Sequence, residues 1–450
     1  MATGHPALSD DTIAAIATAT GGGVGILRLS GPHAISLIRR TFRARRATWP
    51  PGQMVFGHFV ASDGEVLDEG FAVIFEAPRS FTGEDVAELH LHGGAVHLRR
   101  CLAELIAAGA RPAAPGEYLQ RAFLNGRIDL TRAEAIADLV AARTERAARL
   151  ARRHLHGQLE ARIQSIRNAI LDVRAAIEVN IDFIDEDVPL MNPDLLAKRL
   201  DTVATDIDSL LATHRIGRLV RDGATVVLAG APNAGKSSLF NHLYGSSRAI
   251  VTPIPGTTRD LITESIDIQG IPVTLADTAG LRETDDPVEI LGIARTREAV
   301  ADADLVLYLL APRGPEGWDA TEVGAAIGGR SDVLLVCTKS DAVPDDMPAP
   351  GLRVSVVDGE GIESLVAAIG AHLGGVDDEG LVIARERHRA ALATTRAAVA
   401  RAAEGLRAGL TPELPAVDLH EAMDAVGEIV GDATVEDMLD RLFRTFCIGK

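Results

Sequence analysis

Cysteine is scarce in this chain: three in 450 residues, at Cys101, Cys337 and Cys447. They are too few and too scattered for a disulfide framework, which points to a reducing cytoplasm. Long apolar runs are missing as well, and none approaches the ~20 residues of a membrane span. Residues 1–10 lack a basic stretch followed by an apolar core, so no secretory leader is expected. Positive charge is in deficit: 45 Lys+Arg against 63 Asp+Glu leave a net charge of −18. That excludes long-range attraction of the whole molecule to a polyanion, so a nucleic-acid partner must be met by a local basic patch. What is present, 47% hydrophobic and 24% charged residues, is the composition of an ordinary globular protein. The length suggests about three domains.

From Asp11 to about Pro112, β-like runs (Val24 to Leu29, Met54 to Val60, Phe71 to Phe75, Val86 to Leu91) alternate with Gly-rich turns and two expected helices, a compact α+β pattern. From Asp129 onward Ala, Arg, Leu and Glu dominate. Leu159, Ile163, Ile166, Ile170, Val173 and Ile177 follow alternating steps of four and three, which predicts a helical seam. The same composition returns after about Leu381, in a segment short for a domain of its own, so the two helical stretches are expected to pack together. Between them, roughly Arg215 to Leu373, short apolar runs alternate with helical stretches, as in a doubly wound parallel sheet. An α/β domain therefore reads as inserted into a helical one.

Thr225 to Gly230 is a β-rich run leading into Gly230-Ala-Pro-Asn-Ala-Gly-Lys236-Ser237 and then a helical stretch, which is G-x-x-x-x-G-K-S in its strand–loop–helix context. Glycines let backbone N–H groups approach phosphate, Lys236 brings a point charge to the β/γ oxygens, and the Ser237 hydroxyl suits Mg²⁺. Asp277-Thr278-Ala279-Gly280 closes another β-rich run, where an Asp can hold Mg²⁺ through water and Gly280 can approach the γ-phosphate. Thr338-Lys339-Ser340-Asp341 follows the apolar run Val333 to Cys337. An Asp there accepts from guanine N1–H and N2–H₂, a donor pair adenine lacks, so the nucleotide is GTP. Thr338 replaces the usual Asn of N-K-x-D. Ser355-Val356-Val357 stands where such GTPases have Ser-Ala-Lys and is expected to act mainly through its backbone.

In Ras-like GTPases a Gln after D-x-x-G orients the attacking water, but here Leu281 occupies that position. Another group must place the water, and Glu283, Asp285, Asp286 and Glu289 are all within reach by sequence. Three further constellations stand out. Glu88, His90 and His92 share a strand face by period 2, a candidate metal set. Arg143, Arg146, Arg149 and Arg152 recur at three-residue steps and read as nucleic-acid phosphate contacts or a solvated face. Cys447 is a candidate functional thiol.

Gly256-Thr257-Thr258-Arg259-Asp260, Asp277 to Arg282, Val288-Glu289 with Gly292, and terminal Phe446-Cys447-Ile448-Gly449-Lys450 together resemble the MnmE/TrmE family of tRNA-modification GTPases. So do Val24 to Arg28, Phe81 to Asp85 and Arg121 to Asn125, and the resemblance covers essentially the whole chain. It implies an α+β folate-binding-like domain (1–118), a helical domain in two parts (119–214 and 376–450) and an inserted Ras-like P-loop G domain (215–375). It implies K⁺ in the place of an arginine finger, held by Asn233, Thr252, Ile254 and Thr257 as two G domains meet, with Mg²⁺ on Ser237 and Thr258. Lys236 and Glu289 are then the catalytic residues. GTP lies against Asn233, Ala234, Gly235, Lys236, Ser237 and Ser238, and against Thr252, Pro253, Ile254, Pro255, Gly256, Thr257 and Thr258. It also meets Asp277 to Gly280, Thr338 to Asp341 and Ser355 to Val357.

The resemblance further implies 5-formyltetrahydrofolate or a related folate on Arg28, Glu88, Arg127 and Lys450. Gly21-Gly22-Gly23 lacks the Pro-Pro and the extra residue common in this loop of the family, beside the folate. The implied activity is K⁺-dependent GTP hydrolysis in a cytoplasmic homodimer. With an MnmG-like FAD protein, in a heterotetramer or larger complex, it would install a (carboxymethyl)aminomethyl group at C5 of the wobble uridine of certain tRNAs. The rivals are an RNA-binding regulatory or ribosome-assembly GTPase without modification activity, and a self-sufficient folate-dependent methyltransferase.

Overall fold

The computed structural model describes residues 11–182, 192–246, 249–250, 265–277, 302–314, 317–319, 330, 332–374, 380–431, 443, 446 and 449. They fall into two compact units, Met1–Ala137 with Val426–Lys450, and Asp138–Ala425.

The first unit is built on a seven-stranded sheet in the order β3-β4-β5-β6-β2-β1-β7. Its strands are β1 (Ile13–Ile16), β2 (Val24–Ser30), β3 (Phe42–Ala44), β4 (Val55–Val60), β5 (Val66–Phe75), β6 (Val86–His92) and β7 (Arg111–Pro112). All neighbours are antiparallel except β1 and β7. One face is apolar by alternation: Leu27 and Leu29, Ala72 and Ile74, and Leu89 and Leu91 are buried with Phe59. Helix α1 (Ala34–Thr41) adds Ala34, Leu37 and Ile38, and α2 (Ala95–Ala107) adds Leu98, Cys101 and Leu105 at helical spacing. Burial pushes the Cys101 thiol up to about 12, so it is inert at neutral pH.

On the other face, α3 (Glu117–Leu124) brings Tyr118 over Ile13 and Ala15. Leu119 and Phe123 of α3, with Leu130 and Ala133 of α4 (Leu130–Ala141), pack against Phe443 and Phe446, joining the C-terminal segment to this unit. Each of these large side chains stabilises the unit by roughly 1.5–3 kcal/mol through burial. Gly116 caps α3 at φ 68°, and a Cβ there would lie 2.3 Å from the Phe443 carbonyl oxygen, so only glycine fits.

In the second unit, α5 (Glu145–Leu155) starts at Thr144, whose hydroxyl accepts the Ala147 N–H as an N-cap. Helix α6 (Gln158–Asp182) buries the whole seam from Leu159 to Ile177. Helix α7 (Pro193–Ala212) starts with Pro193 at N1 and Asn192 capping the Asp194 N–H. It packs along helix Glu386–Arg407, joined by the Asp208–Arg396 and Asp201–Arg407 ion pairs. The strands lying between these helices in sequence are thus an insertion, entered through α8 (His214–Asp222).

The inserted strands form the order β14-β13-β12-β8-β11-β10-β9. They are β8 (Ala224–Gly230), β9 (Ala249–Ile250), β10 (Ser265–Ile268), β11 (Ile271–Asp277), β12 (Leu305–Leu310), β13 (Val333–Thr338) and β14 (Leu352–Val354). Strands β8 and β11 to β14 run parallel, while β9 and β10 are antiparallel to their neighbours. Val226 and Leu228 of β8 meet Leu239 and Leu243 of α9 (Lys236–Ser246) and Leu365 and Ile369 of helix Ile362–Leu373 in one core. Strand β8 is flanked by β11 and β12, so the winding direction reverses there and a crevice opens at its C-terminal end.

Candidate functional site

The loop after β8 occupies that crevice. Gly230 has φ 142°, and a Cβ on it would lie 2.4 Å from the Leu309 carbonyl oxygen of the adjacent strand. Asn233 takes the left-handed conformation at φ 63°, which Asn tolerates better than most residues. Helix α9 starts at Lys236, so the loop and the first turn offer backbone N–H groups and the positive dipole end to an anion. The Lys236 ammonium donates to the Gly230 and Ala231 carbonyls, at 2.9 Å each, and is held inside the loop. Ser237 and Ser238 are exposed on the first turn, and Ala234 is buried beneath the loop. Asp277 ends β11 opposite Leu228 of β8, so the register brings its backbone to the same end of the sheet.

The turn expected to meet the base follows β13. Thr338 is buried, and its one hydroxyl proton is shared between the carbonyls of Ala234 (2.8 Å) and Leu310 (3.0 Å). Lys339 is left-handed at φ 56° and Ser340 donates to Glu360 Oε2 at 2.9 Å. Asp341 is exposed, and its Oδ1 accepts the buried Ser355 hydroxyl at 2.8 Å. That hydroxyl oxygen in turn accepts the Val357 N–H at 3.2 Å. The side chain of Ser355 therefore holds the Asp341 carboxylate, a contact beyond the backbone role expected of this stretch. Val356 is partly buried against the core, and Val357 is 84% exposed. Thr252 to Thr258, Thr278 to Gly280 and Glu289 lie outside the described residues, as do Glu283, Asp285 and Asp286.

The first unit contains a second polar site. Arg28 of β2 and Glu88 of β6 are directly opposite in the sheet, and their side chains pair at 2.8 Å. The Arg28 guanidinium also donates to the Gly449 carbonyl at 3.2 Å and lies near the Phe81 and Tyr118 rings. Tyr118 donates its hydroxyl to the Arg28 carbonyl at 2.6 Å. Burial, the largest single influence on Glu88, raises its pKa, but the His90 hydrogen bond and the Arg28 charge together hold it below the ordinary carboxyl value. Beside Glu88 lies a cavity of about 410 Å³ lined by Phe75, Arg79, Ser80, Phe81, Val86, Glu88 and Arg127. The fold thus brings Arg28, Glu88 and Arg127 to one place, while Lys450 and Cys447 lie outside the described residues.

Sequence reasoning passed over the groups that support this cavity. The Arg121 guanidinium is buried among Asp11 (2.6 Å), Glu117 (3.0 Å) and Glu84 (3.2 Å), and Asn125 donates to the Thr82 carbonyl at 2.7 Å. Two family-like stretches, Phe81 to Asp85 and Arg121 to Asn125, are therefore bonded to each other. The available signal was an arginine in an otherwise apolar helical turn.

Two other candidates take different roles. His92 bonds Asp68 at 2.7 Å rather than joining Glu88 and His90, and no metal-holding cluster occurs among the described residues. Arg143 donates to the Asp222 carbonyl at 2.6 Å and Arg146 to the Gln269 carbonyl at 3.4 Å, while Arg152 pairs with Glu145 at 2.6 Å. Thr144 donates to the Gly270 carbonyl at 2.7 Å. Residues 143–146 thus hold the β10–β11 hairpin turn and the end of α8, while Arg149 and Arg152 are exposed.

Comparison with known proteins adds an independent line. A family model described as the MnmE helical domain matches residues 130–447, and one described as the GTP-binding protein TrmE N-terminus matches residues 12–127. The tRNA modification GTPase MnmE of Synechococcus sp. (strain CC9605) is 43% identical over 451 residues, covering 98% of this chain and 100% of that protein. That of Syntrophotalea carbinolica is 43% identical over 457 residues, with the same coverages. Among solved structures, the G domain of the T. maritima FeoB iron transporter is 28% identical, over 33% of this chain and 98% of that one, with a TM-score of 0.24. Among the described residues no helix is long and apolar enough to cross a membrane.

Proposed function

The chain belongs to the MnmE family of tRNA modification GTPases, and on that premise we propose that its GTP hydrolysis is K⁺-dependent and drives modification of tRNA wobble uridines. With an MnmG-like flavin protein, it installs a (carboxymethyl)aminomethyl group at C5 of the wobble base, using a carbon drawn from folate. The protein works as a cytoplasmic homodimer. The division into 1–118, 119–214, 215–375 and 376–450 is part of the same proposal.

In this reading the N–H groups of the 230–237 loop and the Lys236 ammonium bind the β/γ phosphates, and Asp341, steadied by Ser355, accepts from guanine. Glu289 places the attacking water where Leu281 cannot. Ser237, a hard oxygen donor on the first turn of α9, suits Mg²⁺ and shares it with Thr258. Asn233, held on the loop in its left-handed conformation, suits K⁺ together with Thr252, Ile254 and Thr257. A cation bound there would offset negative charge developing between the β and γ phosphates. Arg28, Glu88, Arg127 and Lys450 receive the folate. A carboxylate facing the pterin amino edge and cations for the glutamate tail match the charges that line the 410 Å³ cavity. A bound folate would supply the one-carbon unit.

The observation that carries the reading is this cavity, with an ionised Glu88 and Arg127 on its wall, in the same chain as a P-loop GTPase crevice. Nucleoside analysis of tRNA from a deletion strain tests it. The C5-modified wobble uridine should disappear, and full modification would leave a regulatory GTPase instead.

A further inference from the structure

A chain of net charge −18 that acts on tRNA must meet the polyanion locally, and of the arginines from 143 to 152, Arg143 and Arg146 tie down neighbouring backbone and Arg152 is paired with Glu145. A different segment has the required character. Residues 39–46 read Arg-Arg-Thr-Phe-Arg-Ala-Arg-Arg: five cations in eight positions, against one in ten over the whole chain. Arg39 and Arg40 occupy the last turn of α1, Arg43 lies on β3 and Arg45 and Arg46 follow it. All five are exposed, and β3 is the edge strand of its sheet. Among the described residues none of the five forms an ion pair. Arg40 donates to the Ala108 carbonyl at 3.1 Å, and the Arg45 guanidinium lies 4.7 Å from the centre of the Phe56 ring.

Five uncompensated guanidiniums side by side repel one another, and the α1 dipole relieves that only in part. The carboxylate nearest by register, Glu69, stands two strands inward from Arg43, with His58 between them. Guanidinium forks match phosphate oxygens in bidentate geometry. Next to them the sheet shows an aromatic surface: Phe71 is directly opposite Phe56, with ring centres 5.4 Å apart, and is 44% exposed. Arginines bordering an exposed ring on a sheet suit an RNA strand, whose phosphates pair with cations and whose unpaired bases stack. An anionic membrane interface would use both the charge and the ring, so lipid vesicles enter the test as the competing occupant, and the tRNA substrate of the reading above is what favours RNA.

We propose that the Arg39–Arg46 edge is a docking surface for the phosphate backbone of the tRNA substrate. It rests on the reading of the chain as a tRNA-modifying enzyme. The test uses the full-length protein, bulk tRNA as the probe, and binding measured across about 50 to 200 mM salt. Arg39→Ser, Arg43→Ser and Arg46→Ser are combined, since the side chains of these three make no described hydrogen bond or ring contact. Affinity should fall at least about tenfold and the slope of log K against log salt should flatten by about three, one per lost phosphate contact. The matching triple Arg→Lys variant should keep the slope, because it keeps the charge. GTP hydrolysis without tRNA should be unchanged in both.

If wild type does not bind tRNA, the tRNA-modifying reading itself fails. If wild type binds and the serine variant binds equally well, only the surface is wrong. Equal losses in the serine and lysine variants would also overturn it, since charge would not be the operating feature. So would arginine-dependent binding to phosphatidylserine vesicles without arginine-dependent binding to tRNA, or a change of oligomeric state in the serine variant, which would make this edge a self-association surface.

Discussion

The Thr338 hydroxyl lies 2.8 Å from the Ala234 carbonyl oxygen, so the turn after β13 is hydrogen-bonded directly to the glycine-rich loop after β8. A threonine in place of the usual asparagine keeps a tie between the two halves of the nucleotide site with a single proton. Thr338→Val, nearly identical in shape, leaves two buried carbonyls with less hydrogen bonding. It should destabilise the protein by about 1–3 kcal/mol. Urea unfolding measures this directly, and GTP affinity should fall with it. An unchanged midpoint would show that the tie contributes nothing.

In the proposed site Asp341, held by the Ser355 hydroxyl at 2.8 Å, selects guanine. Asp341→Asn should weaken GTP and favour xanthosine triphosphate, whose O2 replaces the amino donor and accepts from the new amide. Ser355→Ala should cost about 0.5–1.5 kcal/mol of GTP affinity by releasing the carboxylate. Competition binding with both nucleotides decides the matter, and equal affinities for GTP in wild type and Asp341→Asn would remove Asp341 from the site.

If the cavity beside Glu88 receives folate as proposed, binding should depend on that carboxylate. Calorimetry with 5-formyltetrahydrofolate should show at least a tenfold loss in Glu88→Ala, about 1.4 kcal/mol. Because Arg28 and His90 hold the Glu88 carboxyl below its ordinary 4.5, it stays ionised as pH falls from about 8 to about 5. Its contribution to affinity should be flat over that window and decline only at lower pH. A Glu88-dependent loss of affinity centred near pH 6 would contradict the assignment.

Hydrolysis should depend on K⁺ and on Glu289. An arginine finger is worth ~10³ to 10⁵ in rate, roughly 4–7 kcal/mol, and the cation is asked for something of that order. Exchanging K⁺ for Na⁺ should lower kcat strongly while nucleotide binding survives through Lys236 and Mg²⁺. Glu289→Ala should likewise bind GTP and turn it over slowly, as expected of a group needed only in the transition state. Full turnover in Na⁺, or in the alanine variant, would place the water on another residue.

His92 provides a pH signature. Its bond to Asp68 raises the imidazole pKa above 6.5, so the stabilisation from this pair is complete below 6.5 and fades as pH rises through the raised value. NMR titration should show His92 protonating at higher pH than an ordinary histidine, and Asp68→Asn should return it toward 6.5. The same titration curve in both proteins would mean that the pair does not form in solution.

Much of the local structure was legible from residue types. Thr225 to Lys236 had to be strand, tight loop and helix because glycine placement and β-branched residues leave few alternatives, and β8, the loop and α9 follow that pattern. The four-and-three spacing from Leu159 to Ile177 placed every seam residue in the core of α6. Strand β5 begins five residues earlier than its apolar run suggested, at Val66, because Asp68 and Glu69 are paired into the sheet by neighbouring strands. Pairings between distant positions were decided by the tertiary structure. His92 meets Asp68, 24 residues away, rather than Glu88 on its own strand face; Ser355 supports Asp341; and Arg121 gathers carboxylates from three segments. Periodicity specifies which face of an element turns inward, since that follows from 3.6 or 2 residues per repeat. Which polar group a buried charge finds there depends on strand register and helix docking, and these are set by the packing of the entire core.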